Sequence, residues 1–310
     1  MPRELVAIAP RTPVLREYEE PPLQPNQVRI RSEFSAPKHG TELGMYRGTS
    51  PFSVRRWDAE YQLFLPWEEE PQLFPMPLGN MTIGTVVEVG SEVKQYKIGE
   101  RVFGHFPIRE THTVEEDRIE GIVPEGMSPH AIVYWDPAEF ALAAVRDAHV
   151  RLGDRVAIFG IGAIGIMCVQ MCKLSGASLI IAIDPLEKRR NLAQMHGADI
   201  VLDPSATDVG VAIKDATDKL GVDVAIEASG SYEALHEAIR CTAVGGAVVP
   251  LAFYQGEGRG LRLGEEAHLN RATLIFSRAN TDPNRDHPMW NNARIRHTAF
   301  ELLRTGKLNV

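Results

Sequence analysis

The chain has 310 residues, 24% of them charged and 44% hydrophobic, an ordinary globular composition that excludes a disordered chain and a length that fits about two domains. Its net charge is −8 and its densest basic run is only Lys188-Arg189-Arg190, which argues against nucleic acid as a partner. Its longest mostly apolar run, residues 156–169, has 14 residues, short of the roughly 20 that span a membrane. Cys168, Cys172 and Cys241 follow no framework spacing and read as free buried thiols, so a soluble, cytoplasmic protein is expected.

Up to about residue 150 the chain is β-rich. Residues 28–31 (VRIR) alternate apolar and polar like a half-buried strand, and residues 82–89 (TIGTVVEV) and 100–103 (ERVF) read the same way. Pro21, Pro22, Pro25, Gly79, Gly90 and Gly99 punctuate them, the pattern of a small antiparallel barrel or sandwich. Residues 48–78 hold Phe52, Trp57, Tyr61, Phe64, Trp67 and Phe74 among many charges. A connection this long is unusual in a compact domain. It reads as a packed excursion or subunit contact, or as an aromatic lid over a substrate pocket.

Beyond residue 150 the period changes. Strands are expected at 155–159, 179–183, 200–202, 222–226, 247–251 and 273–276. Helices lie between them: one ending near Gly176, one stopped at Gly197, one over 209–220 stopped by Gly221, and one over 232–241. Such alternation specifies a parallel sheet with helices on both faces. The fold class is α/β, a doubly wound Rossmann sheet behind a β-rich N-terminal domain.

The turn Gly160-Ile161-Gly162-Ala163-Ile164-Gly165 directly follows the strand 155–159 and opens a helix, the context that gives a GxGxxG match its meaning. The first glycine permits the tight turn, the second lets the backbone approach a pyrophosphate, and the third lets helix and strand pack closely. The helix N-terminus supplies amides and partial positive charge for the phosphates. Asp184 ends the second strand, near the spacing expected of a carboxylate that binds ribose hydroxyls and repels a 2′-phosphate. NAD(H) is therefore favoured; Arg189 and Arg190 leave NADP(H) open. Ser229, Leu251 and Phe253 follow the fourth and fifth strands, at carboxyl ends where open α/β sheets bind ligands.

With these elements in this order, the chain resembles the medium-chain dehydrogenase/reductase superfamily, in its zinc-type alcohol dehydrogenase branch. Gly79-Asn80-Met81 running into TIGTVVEVGSEVKQYKIGERV is similar to that branch's GHE-initiated stretch, His39-Gly40-Thr41-Glu42-Leu43 to its Cys-Gly-Ser-Asp segment, and Asp136-Pro137 to its Glu-Pro phrase. The resemblance implies a GroES-like substrate domain over residues 1–125, a Rossmann domain over 126–280 and a C-terminal segment 281–310 returning toward the catalytic domain, with the active site in a cleft and a homodimer or homotetramer as the assembly. In relatives a phrase like Gly306-Lys307-Leu308-Asn309-Val310 precedes a further segment, so a shortened form is expected.

The departures bear on mechanism. Where the branch has its zinc ligands, this chain has His39, Asn80 and Asp136, and a neutral amide is a weak zinc donor. The position of the neighbouring glutamate holds Met81, and the four-cysteine structural-zinc loop is missing. His105 and His112 lack a matching third ligand. No metal site is expected and zinc is not expected as a cofactor. Stabilising and protonating an alkoxide then falls to hydrogen-bond donors. The resemblance places Thr41 at the proton-relay position beside His39, which can titrate near neutrality, with Asn80, Asp136 and Lys38 as further candidates and Glu42 read as structural. The expected activity is NAD(P)-dependent oxidoreduction of an alcohol/carbonyl pair. Its rivals are a quinone or enoyl reductase and a dinucleotide-binding protein without catalysis.

Overall fold

The computed structural model describes residues 1–69, 71–279 and 282–310. Glu70 of the aromatic segment and the expected boundary at 280/281 lie outside the described residues. The chain divides into two compact units, Met1–Val133 and Tyr134–Val310.

Unit 1 contains β1 (Arg3–Ala9), β2 (Thr12–Glu17), β3 (Gln27–Ala36), α1 (His39–Arg47), β4 (Arg55–Asp58), β5 (Leu63–Pro66), β6 (Met76–Pro77), β7 (Met81–Val89), β8 (Arg101–Gly104), β9 (Thr111–Glu115), β10 (Gly121–Ile122) and the single turn α2 (Pro129–Ile132). A five-stranded antiparallel sheet runs β10-β8-β7-β3-β9, and a smaller one runs β2-β1-β6. The alternation in VRIR places Val28 and Ile30 in the core with Val86, Val102, Phe106 and Ile119, while Arg29 and Arg31 stay out of it. The aromatic segment is not a bare connection. It forms the hairpin β4–β5, with Phe64 edge-on to both Phe52 and Trp57 at 5.2 and 5.3 Å. Val123 donates to the Arg101 carbonyl at 2.8 Å, and the Phe34 and His130 rings lie 4.8 Å apart. These contacts carry unit 1 past the boundary expected after residue 125.

Unit 2 contains α3 (Trp135–Asp147), β11 (Arg155–Phe159), α4 (Ala163–Leu174), β12 (Leu179–Ile183), α5 (Glu187–Met195), β13 (Ile200–Leu202), α6 (Val209–Ala216), β14 (Val222–Glu227), α7 (Tyr232–Cys241), β15 (Thr242–Pro250), β16 (Thr273–Leu274) and α8 (Asn292–Arg304). Its sheet is parallel throughout, in the order β13-β12-β11-β14-β15-β16, the doubly wound order with its switch point between β11 and β14. Helix α6 stops at Ala216 rather than at Leu220, because Asp218 and Lys219 take left-handed backbone angles. Residues 282–310 lie with unit 2: Arg296 pairs with the buried Glu139 at 3.1 Å, and Gln170 exchanges two hydrogen bonds with the Asn309 backbone. Among the described residues no helix is long and apolar enough to cross a membrane.

Candidate active site

The three glycines of the turn after β11 meet different surroundings. Gly160 sits at φ +82, and a Cβ there would lie 2.6 Å from the Ser229 side chain. Gly165 is the site of closest approach, since a Cβ would fall 2.0 Å from the Gly160 carbonyl oxygen. Gly162 is the opposite case: a Cβ there meets nothing within 4 Å. It caps α4, which starts at Ala163 and Ile164. The open space faces the first amides of a helix, a cradle that fits a pyrophosphate.

Asp184 is 2% exposed at the end of β12. Its carboxylate accepts from the Ile161 N–H at 2.9 Å and the Leu186 N–H at 2.8 Å, so it holds the glycine turn against the second strand. Arg189 approaches it at 3.4 Å and keeps nearly half its side chain in solvent. Arg190 is committed elsewhere, to the Asp184 and Pro185 carbonyls and to Asp203.

Sequence reasoning missed Glu227, which is 0% exposed at the end of β14. It accepts from the Ser229 N–H at 2.7 Å, the Gly230 N–H at 3.1 Å, the Ser229 hydroxyl and the Tyr254 phenol. Burial pushes its carboxyl above the usual range, against the pull of these hydrogen bonds, and burial likewise raises the Tyr254 phenol. The Leu251 N–H bonds to the Glu227 carbonyl at 3.0 Å. Ser229 and Leu251 are therefore both tied to one residue, and Phe253 lies partly exposed beyond them. The available signal was a carboxylate closing the apolar run Val224-Ala225-Ile226, since a charge buried there needs several donors.

In unit 1, His39 and Thr41 lie exposed on the first turn of α1. Residues two apart on a helix do not face each other, so the two side chains leave from different sides of it. Glu42 fixes this turn. Its carboxylate accepts from the Lys38 N–H at 2.6 Å and from the Gly79 N–H at 2.8 Å. It thus joins the start of α1 to the turn carrying Asn80, which also bonds from its own N–H to the Ala36 carbonyl at 3.3 Å. Gly79 sits at φ +84 with Ile108 packed where a Cβ would be, so the turn admits no other residue without movement. Asn80 Oδ1 is buried and has no hydrogen-bond partner. Met81 is buried at the start of β7. Asp136, in unit 2, is buried in the first turn of α3.

His112 is a buried strand residue stacked on Phe106, with ring centroids 5.1 Å apart. His105 Nε2 lies 4.0 Å from Glu120.

Residues 24–133 match the alcohol dehydrogenase GroES-like domain, and residues 163–291 match the zinc-binding dehydrogenase family. Among curated proteins the chain is 43% identical to D-guloside 3-dehydrogenase of Escherichia coli (strain K12), covering 99% of this chain and 89% of that one. It is 29% identical to (R,R)-butanediol dehydrogenase of Bacillus subtilis (strain 168), over 78% of this chain and 74% of that one. Among solved structures, the Bacillus subtilis 2R,3R-butanediol dehydrogenase superposes with a TM-score of 0.75 at 24% identity, covering 100% of this chain and 90% of that one. A zinc-binding dehydrogenase from Sinorhizobium meliloti, solved bound to NADP, superposes at 0.76 with 22% identity and the same coverage. The chain belongs to the alcohol dehydrogenase-like branch of the medium-chain dehydrogenase/reductase superfamily and is an oxidoreductase that uses a nicotinamide dinucleotide.

Proposed function

We propose that the chain oxidises a secondary hydroxyl on the ring of a glycoside to the ketone, with NAD⁺ preferred over NADP⁺ and no catalytic zinc. The likeness to D-guloside 3-dehydrogenase over 99% of the chain carries the substrate class. Gly160, Gly162, Gly165 and the first turn of α4 hold the dinucleotide, with Asp184 disfavouring a 2′-phosphate through its charge. Bound there, the nicotinamide supplies a two-electron acceptor.

The proton is handled by residues of unit 1. The unpartnered Asn80 Oδ1 accepts a hydrogen bond from a neighbouring hydroxyl of the sugar and orients the ring. Thr41 takes the reacting hydroxyl's proton as the alkoxide character develops and passes its own to the solvent to which it is exposed. The positive end of α1 favours the developing negative charge, and His39, exposed on another side of the same turn, takes up protons from that solvent. An amide oxygen beside a buried thioether is a poor donor set for zinc, so the proton step is assigned to these groups.

The test is turnover with both dinucleotides across D-gulosides, other glycosides, 2,3-butanediol and quinones. Reduction of NAD⁺ with a glycoside is expected. Thr41→Ala should lower turnover by about 10²–10⁴-fold and leave dinucleotide affinity intact. Activity confined to quinones, or wild-type turnover in the variant, overturns the reading.

A further inference from the structure

His236 has no role in the chemistry above, yet it is the least satisfied polar side chain of unit 2. It lies on the inner face of α7 beside Leu235 and Ile239, 3% exposed, and neither ring nitrogen has a hydrogen-bond partner. A buried imidazole normally finds a partner for at least one nitrogen.

Two carboxylates come to it from the segment Leu263–Ala267, which packs on α7. One ligand atom from each of His236, Glu265 and Glu266 lies within 4.8 Å of the other two. The Glu266 Oε2 is itself buried without a hydrogen-bond partner. Among the described residues this is the one group of three such side chains. The backbone at Glu265 leaves the helical region, at φ −95 and ψ −121.

Neighbouring cations leave room for a ligand. Arg240 is held by Glu237 at 2.7 Å and Asp208 at 3.1 Å and reaches Glu266 only at 3.6 Å. Arg262 takes one oxygen of Glu265 at 2.7 Å and leaves the other.

We propose that His236, Glu265 and Glu266 form a divalent-cation site, distinct from the dehydrogenase chemistry, that clips the segment after β15 to α7. One imidazole with two carboxylates suits zinc better than calcium or magnesium, which prefer all-oxygen sets. Tetrahedral bonds of about 2.1 Å put ligand atoms roughly 3.4 Å apart, so the two glutamate side chains close by a rotamer adjustment while the buried histidine stays in place. The fourth position is left to water.

The experiment titrates chelator-stripped full-length chain with Zn²⁺ alone, following heat and melting temperature. One saturable site per chain is expected, with a raised melting temperature. Glu265→Gln, Glu266→Gln and His236→Gln should each weaken it at least ten-fold, and His39→Asn should leave it unchanged. Glu265 is exposed, so its variant keeps the fold even if His236→Gln does not. Loading with Co²⁺ should give visible bands that the Glu265 variant lacks. Absence of saturable binding, binding unaltered in both glutamate variants, or binding lost with His39→Asn overturns the assignment.

Discussion

The Gly160–Gly165 turn and the Gly79–Met81 turn reach their shapes by different routes. In the first, the closest approach is local: the Cβ that Gly165 lacks would strike the carbonyl five residues earlier, and strand, turn and helix follow without a break, with Ser229 and Asp184 closing on the turn from neighbouring strands. In the second, the shape depends on Glu42, which reaches Gly79 from 37 residues away, and on Ile108 filling the space beside Gly79. A local turn of this kind announces itself as a motif. A turn fixed by tertiary contact leaves only isolated residues in the sequence, each with an innocuous alternative explanation.

The sharpest way to break this comparison is within the local turn. Gly162→Val should abolish dinucleotide binding and leave the melting temperature unchanged, because its Cβ enters open space. Gly165→Ala should instead destabilise the unit by about 3 kcal/mol through overpacking. Calorimetric titration and thermal unfolding separate the two, and equal melting temperatures for both variants would refute the division of labour among the glycines.

For the distant turn, Glu42→Gln is the sharper probe. An amide cannot accept from both N–H groups, so one of them is left facing a donor, at a cost of about 1–3 kcal/mol. Turnover should fall with the loss of the joint between α1 and the Asn80 turn, while dinucleotide affinity stays constant. A drop in dinucleotide affinity of the same size would show that Glu42 holds more than its own unit.

A pH profile offers a further check on unit 1. Burial, with the Arg109 charge adding to it, lowers the pKa of His112 from 6.5 to about 4. Its neutral form stabilises the fold fully above pH 6.5, and that contribution is lost as pH falls toward 4. Between pH 7 and pH 5 the loss is about 2 kcal/mol. His112→Gln should flatten this part of the unfolding profile, and an unaltered slope would assign the acid sensitivity to other groups.

The smallest effect is expected at Asp184. Asp184→Ala should relax the preference against NADP⁺ and weaken both dinucleotides several-fold, since the carboxylate also holds Ile161 in place. A wild-type chain that binds NADP⁺ more tightly than NAD⁺ would reverse the assigned preference.

The parallel sheet was legible because β11, β12 and β13 are apolar runs closed by a glycine or an aspartate. Helix α1 was not, because HGTELGMYR has two glycines and little apolar periodicity; its start is fixed by the Glu42 bond to Lys38, and its end by the left-handed Gly48. The hairpin β4–β5 was hidden inside the long aromatic segment, since its turn lacks the usual glycine or asparagine pair. Among candidate site residues, the glycines and Asp184 stood out by spacing. Glu227 was not, because only burial turns an ordinary strand-end glutamate into a hub for Ser229, Gly230 and Tyr254.

The three thiols have a practical consequence. Cys168, Cys172 and Cys241 are all buried, and burial pushes Cys168 and Cys241 up to about 12 and Cys172 well above its ordinary value. A maleimide reacts with a thiolate it can reach, and the native fold offers none at these positions. The chain therefore behaves as its own cysteine-free background. A single cysteine introduced at Tyr61, exposed at the tip of the β4–β5 hairpin, would take a fluorophore selectively, and that label would report whether the hairpin responds when a sugar is added.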